Sequence, residues 1–559
     1  MPTAVPPFRR FALLVALFVL GASGCARRGG CAGDYCGTLI FVTGSEPDIL
    51  LPPLTQSSVG RDIHDQIFLK LADLGMSMNT VGDQDFEPLL AQRWEWTGAR
   101  TLVFHLNPRA RWQDGQPVTA ADVAFTFDAY TDPKVASPSA PDLRWIGAVT
   151  ARDSLTAVFR FRRRYPEMFY DAACRMRILP AHLLRSLPRE AWRTAPFGRA
   201  PVGSGPYRLV AWKAGETIEL AADSTFFLGR PHIRRLIWRS APDLQVAISQ
   251  LIANQADALE FLGPPDNVRR VRAAPQLTLY PYKGSNYAYL GFNLVAKGDT
   301  ARPHPIFGDR DVRRALAMAV DRAHLLQSVF GDLGKVPPGP MPQRSWIWDP
   351  ETRQLPYDTA QAARLLAARG WRDSDGDGIR DRHGMKLAFR LLVPTTSAPR
   401  RQYARLLQEQ LRAVGAEVGI DEVENSVLMD RARGAQFDAV LGAWNPDLSP
   451  AASIASTWTR AGFSGSNWLR YSNPEFERQV ERASTAGGSR DAARAAWRAA
   501  IEILNADAPA VFLYSPDNVA AVHSRVADVR IRPDSWWALV RTWRIPADRL
   551  IERDRASGP

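Results

Sequence analysis

The stretch Thr101-Leu-Val-Phe-His-Leu-Asn-Pro-Arg-Ala-Arg-Trp-Gln-Asp-Gly-Gln-Pro-Val-Thr-Ala-Ala-Asp-Val-Ala-Phe125 passes through three backbone states. Thr101–Leu106 is rich in β-branched and aromatic residues, a strand signal. Asp114-Gly115 is a turn pair: Asp can bond its own backbone, and Gly accepts a positive φ. Thr119-Ala-Ala-Asp122 has capping-box spacing and predicts a helix over Ala120–Tyr130. A strand that feeds a helix through a tight turn marks a chain of mixed α and β structure.

The pattern extends in both directions. Strand-like runs occur at Thr38–Thr43, Leu155–Phe161, Thr217–Leu220, Leu387–Val393, Phe437–Trp444 and Ala510–Tyr514. Apolar residues at helical spacing predict one helix over Asp311–Phe330, stopped by Gly331. Further helices are expected over Thr359–Arg369, capped by Asp358, and over Arg400–Val414, ended by Gly415. Asn473-Pro474 opens another over Glu475–Ala483, and Arg490–Asn505 is Ala-rich and amphipathic. Strands and helices interleave without a repeat period, which excludes a solenoid. The reading is an α/β chain of mixed α+β character.

Composition narrows the function. The chain has 559 residues, 46% hydrophobic and 23% charged, a globular mix that is neither disordered nor polytopic. The net charge is +12, yet only 7 of the 70 basic residues are Lys. That Arg bias reads as a solvated surface. No basic cluster with interleaved aromatics or nucleic-acid module accompanies it. There is no phosphate-binding Gly-Lys-Ser/Thr loop, no His-Glu-x-x-His and no Gly-x-Ser-x-Gly, and the eight His are scattered singly. No catalytic constellation stands out, so the chain is not read as an enzyme. A secreted hydrolase remains only as a remote alternative.

Residues 1–24 read as an export signal. Arg9 and Arg10 precede the apolar run Phe11–Leu20, which is too short to span a bilayer. Gly21-Ala22-Ser23-Gly24 then leads to Cys25, as in a lipobox, so Cys25 is expected to be lipidated. Ordinary cleavage near Ser23 is the alternative. Cys31 and Cys36 sit in the Gly-rich tether 25–37 and suit a short-loop disulfide in an oxidising compartment. Cys174 reads as a buried thiol.

The block Trp94-Glu95-Trp96 plus Thr101–Phe125 closely resembles the signature of the family 5 extracellular solute-binding proteins, the oligopeptide, dipeptide and nickel receptors of ABC importers. Gly44–Pro52, Gly203-Ser-Gly-Pro-Tyr207, Asn286–Asn293, Asp311–Arg322 and Tyr357–Trp371 resemble further family segments in the same order. The resemblance implies a two-lobed periplasmic-binding-protein fold with a hinge, of the cluster C type with an extra domain. It places domain I at 38–58, 203–282 and 517–545, domain II at 59–202, domain III at 283–516 and a tail at 546–559. The crossings between lobes fall near Pro281–Ser285 and Ser515–Asn518. It implies capture of a ligand between the lobes and delivery to a permease backed by ATPase subunits. The receptor would be a monomer, exported to the periplasm or cell surface and held at the membrane through Cys25. The leading ligand is an oligopeptide; nickel chelates, haem, oligosaccharides and opines are the alternatives on the same fold.

Ligand residues are also carried over from the resemblance. Asp447, three residues after Trp444, matches the Asp that binds a peptide's α-ammonium; a loop Asp capping the next turn is the other reading. Asn445, Tyr289 and Asn293 are taken with Trp444 as its neighbours in the cleft. No cofactor is expected, with one reservation. Asp373, Asp375 and Asp377 have calcium-loop spacing, but Gly384 stands where the bidentate Glu belongs, so a solvated turn competes with a calcium site.

Intact-mass measurement of the native protein is expected to find an N-terminal Cys25 carrying two or three acyl chains, since one chain anchors only marginally. A free Ala or Gly at the N-terminus would overturn this.

Overall fold

The computed structural model describes residues 35–486 and 490–555. Around the deciding stretch, four antiparallel strands form a small sheet in the order Ala91–Gly98, Thr101–Leu106, Thr156–Phe161, Ile146–Asp153. The helix Ala120–Thr131 packs on it, burying Val123 and Phe127 beside Leu102, Phe104 and Phe159. Its start is secured by Asp122, whose carboxylate accepts from the Thr119 N–H and the Thr119 hydroxyl, both at 2.8 Å. The other oxygen of Asp122 accepts from Ala181 N at 2.9 Å, so the cap also ties in the next segment.

The large sheet has twelve strands. Ten follow one path: Glu417–Val423, Ala388–Pro394, Ala439–Trp444, Tyr287–Phe292, Ala510–His523, Ala258–Leu259, Cys36–Thr43, Ile233–Ser240, Thr217–Ala222 and Tyr207–Lys213. The strands Leu277–Lys283 and Gly334–Lys335 pair with Ala510–His523 off that path. Separate cores lie against its two ends. One gathers Leu39, Phe41, Trp238, Trp536 and Trp543; the other gathers Leu290, Phe292, Leu316, Leu391 and Leu441.

Three expectations change. The run Ala510–Tyr514 is the first part of a 14-residue strand ending at His523, which serves both ends of the sheet. The helix expected over Asp311–Phe330 is two helices, Arg310–Met318 and Arg322–Phe330. Asp321 breaks it: its carboxylate caps a new helix by accepting from His324 N at 3.0 Å, a local bond that competes with helix continuation. Finally, residues 546–555 are no free tail, because Asp554 is a buried anchor.

That anchor belongs to a buried charge cluster. Arg525, with its side chain 3% exposed, donates to Asp257 at 2.7 Å, to Asp554 at 2.6 Å and to Thr38 O at 2.6 Å. Asp257 also accepts from Ile40 N, and Asp554 from Thr38 N. One guanidinium thus joins the first strand, the last helix and the end of the long strand. A buried pair loses about 3–5 kcal/mol when one partner is removed. Arg525→Met, which strands Asp554 and leaves Asp257 with Arg553 alone, is therefore expected to lower unfolding stability by about that much in urea titration; an unchanged midpoint would refute it.

Candidate functional site

A cavity of about 450 Å³ opens between the two ends of the large sheet. The strand Cys36–Thr43 runs parallel to Ile233–Ser240, and residues 41–45 at its carboxyl end form one wall. That is where open α/β sheets place ligands. The helix Ser58–Ile67 enters beside it, with the Ser57 hydroxyl accepting from Gly60 N at 3.0 Å and Asp48 accepting from Gln56 N at 2.9 Å. This start brings Arg61 and Asp62 to the cavity. Glu260, Tyr282, Trp238, Trp536 and Trp537 complete that side, and Ser285, Arg344 and Asn445 face them from the other.

Aromatic packing holds the floor. Phe41 stacks on Trp238 with ring centres 5.3 Å apart and meets Trp537 edge-on at 4.2 Å. The electrostatics are less settled. Burial, then Glu260 and Asp65, push the Asp62 carboxyl well above its ordinary range, against Arg61 and the Trp537 indole. Burial likewise raises Glu260, with Trp537 opposing. Opposite them, Arg344 donates to Pro446 O at 2.9 Å and to Asn445 Oδ1 at 3.4 Å. A second void, about 720 Å³, lies among Val81, Trp96, Arg164, Tyr165, Phe169 and Thr485, away from the strand ends.

The residues expected to bind ligand divide. Asn445 lines the cavity, whereas Trp444 is half-buried against Trp468, ring centres 4.6 Å apart. Tyr289 and Asn293 are corrected to structural roles. Tyr289 is 1% exposed and packed on Trp458; Asn293 is fully buried and donates to Ala435 O and Phe437 O. Asp447 stands apart. It does not line the cavity; Arg175 takes its carboxylate in a two-point pair at 2.6 and 2.9 Å. A guanidinium fork matches a carboxylate better than a single ammonium does.

Asp373, Asp375 and Asp377 gather with carboxylate oxygens within 4.8 Å of one another on an exposed turn. Lys386 pairs with Asp375 and Asp377, and Asp373 accepts from Gly376 N and Gly378 N. The donor set thus already serves an ammonium and the turn's own backbone. Cys36 is disulfide-bonded, while Cys25 and Cys31 lie outside the described residues. Cys174 is a buried thiol, pushed up to about 12 by burial.

Sequence reasoning missed Asp62, Glu260, Arg344 and the tryptophans. The doublet Trp536-Trp537 beside Asp534 is the one local signal. The others come from segments too far apart to be read together.

A second set of contacts, away from the cavity, joins the segments at Thr80 and Glu167 to Trp346 and Ser449. Glu167 accepts from the hydroxyls of Thr80, at 2.5 Å, and Ser449, and Trp346 Nε1 donates to Thr80 Oγ1 at 2.9 Å. Arg175–Asp447 lies beside them.

A family model described as bacterial extracellular solute-binding proteins, family 5, middle region, matches residues 85–466. The oligopeptide-binding protein AppA of Bacillus subtilis is 24% identical over 549 residues, spanning 94% of this chain and 97% of that protein. Heme-binding protein A of Haemophilus influenzae is 24% identical over 415 residues, covering 71% and 73%. The AppA structure with a nonapeptide superposes with a TM-score of 0.72 at 24% identity, covering 91% of this chain and 99% of that one. The structure of NikZ from Campylobacter jejuni with Ni(L-His) gives 0.74 at 22% identity, with the same coverage.

Glu167 generates a prediction. Burial raises its carboxyl to about 8. A folded-state pKa above the unfolded value near 4.3 means stability is fullest below about pH 4 and is lost as pH rises to about 8. Melting temperature across pH 5–9 is expected to fall more steeply in wild type than in Glu167→Gln. Parallel profiles would refute it.

Proposed function

The chain belongs to the bacterial extracellular solute-binding proteins of family 5, and from that premise we propose that it is the capture subunit of an ABC importer for short peptides. The observation that carries this reading is the cavity at the carboxyl end of the strand Cys36–Thr43, lined by the core of Phe41, Trp238, Trp536 and Trp537 on one side and by Ser285, Arg344 and Asn445 on the other. Its volume falls within the 300–1,000 Å³ range usual for small-ligand sites, enough for a short peptide rather than a long one. Main-chain groups at residues 43–45 and Ser285 stand at its edge, where an extended peptide can be held as an added strand. AppA, an oligopeptide-binding protein whose structure holds a nonapeptide, supports the same ligand class.

In this reading the bodies move about the adjacent crossings and close over the ligand, driven by tighter binding to the closed form. The subunit performs no reaction itself. It is a monomer anchored through lipidated Cys25, and it hands its ligand to a permease coupled to ATPase subunits.

Native mass spectrometry of the protein, isolated from its own envelope without denaturation, tests the reading. Adducts that sequence as short peptides are expected. A random peptide library should also raise the melting temperature, since ligand at 100 times its Kd adds about 2.7 kcal/mol. Adducts of haem or a metal chelate, with no stabilisation by peptides, would overturn it.

A further inference from the structure

The cavity holds two carboxyl groups that form no ion pair among the described residues. Asp62, on the helix Ser58–Ile67, and Glu260, just past the strand Ala258–Leu259, line it together. Among the described residues neither has a cation within ion-pairing distance. This is unlike Asp257 and Asp554, which share Arg525, and unlike Asp447, which holds Arg175. Their proximity is electrostatically costly, for the charge of Glu260 raises Asp62 further than burial alone.

A second, independent observation concerns the walls. Trp238, Trp536 and Trp537 are 1%, 2% and 4% exposed, all line the cavity, and none of their indole N–H groups has a hydrogen-bond partner. The Trp537 N–H stands beside both carboxyl groups and favours their charged forms without a bond of normal geometry to either. Arg344, 9% exposed, brings a further unpartnered donor, Nε, from the opposite wall. The indoles of Trp112, Trp212, Trp371 and Trp444 are unpartnered as well, so what sets these donors apart is that they line one cavity beside two carboxyl groups. Unsatisfied acceptors for a cation thus adjoin unsatisfied donors for an oxygen.

We infer that Asp62 and Glu260 form an ammonium subsite, with the Trp537 indole and Arg344 supplying hydrogen bonds to oxygen atoms beside the ligand's amine. The ligand class is a primary amine flanked by hydrogen-bond acceptors. The free amino end of a peptide has that pattern, and a small polyamine has the amine alone. An ammonium shared by two carboxylates satisfies both and relieves their repulsion. Aromatic faces around it add attraction for the cation. The site thus replaces Asp447 as the reader of the ligand's charge. The inference rests on the cavity being the ligand site, and its peptide arm rests on the peptide reading.

The test uses the full mature protein and the double variant Asp62→Asn/Glu260→Gln. Three probes are applied with binding read by native mass spectrometry: a random pentapeptide library lacking Lys, Arg and His, the same library N-acetylated, and 1,4-diaminobutane. Wild type is expected to retain the free-amine library about tenfold or more over the acetylated one, and the double variant is expected to lose that preference. The ligand-free double variant should melt no lower than wild type, since it removes two carboxyl groups that burial and mutual repulsion penalise. A loss of binding would then not reflect unfolding. If neither library binds but 1,4-diaminobutane binds to wild type and not to the variant, the subsite stands and the peptide reading falls. If peptides bind but acetylation makes no difference, or the variant keeps the preference, the subsite is wrong while the peptide reading survives. If no probe binds in a carboxylate-dependent way, the subsite is overturned.

Discussion

At residue 284 there is no room for a side chain. A Cβ built on Gly284 would lie 2.0 Å from the carbonyl oxygen of Pro516, well inside van der Waals contact. The two places where the chain passes from one core to the other are pressed together there, backbone on backbone. On one side Lys283 pairs with Asp517 and Tyr282 with Asn518; on the other Ala288 pairs with Tyr514. The Ser515 hydroxyl donates to Asn286 O at 2.8 Å, and Gln343 brackets the junction by donating to Ser515 O and Asp517. The cavity wall depends on this seam, since Tyr282, Ser285 and Asn518 all belong to it.

Buried charge is treated in two ways in this molecule. In the frame, each cluster is closed: Arg525 between Asp257 and Asp554, Arg177 on Asp65 at 2.6 and 2.8 Å, Arg532 across Asp73 and Asp534. Arg177 and Arg532 meet their carboxylates in forked pairs, and Asp257 and Asp554 also accept from main-chain N–H groups. At the cavity the same residue types stay incomplete. Scaffolds can leave a polar group unmatched where a ligand supplies the missing half, at some loss of intrinsic stability.

Much of the frame was legible because it is local. The sequence 101–125 contains its own strand, turn and cap; the turn and cap are built from contacts within a few residues, while the strand pairs with Ala91–Gly98 and Thr156–Phe161. The helix broken at Asp321 was misread, since apolar spacing runs through Ala319 and Val320 while the competing cap is a single carboxylate. The site was legible only in outline. Reading Asp447 as a ligand residue ignored Arg175, which lies 272 positions away and reaches it only through the fold. Asn293 and Tyr289 lie on the strand Tyr287–Phe292 or just past its end, but their side chains go into packing and main-chain bonds. Asp62 and Glu260 become neighbours only when a helix and a strand end meet, and no spacing announces it.

The bridges Arg175–Asp447 and Glu167–Ser449 involve none of the residues that line the cavity. Whatever free energy they contribute to holding the bodies together is therefore common to every ligand. Selectivity is a difference between affinities, and a common contribution cancels from it. On the proposed reading of the cavity, retention and discrimination fall to separate parts of the molecule. Substitutions in the cavity can change which solute is favoured while the shared grip persists, and substitutions at the bridges can loosen every solute alike without reordering preference. Such a division suits a receptor that diverges in ligand while keeping one mode of closure.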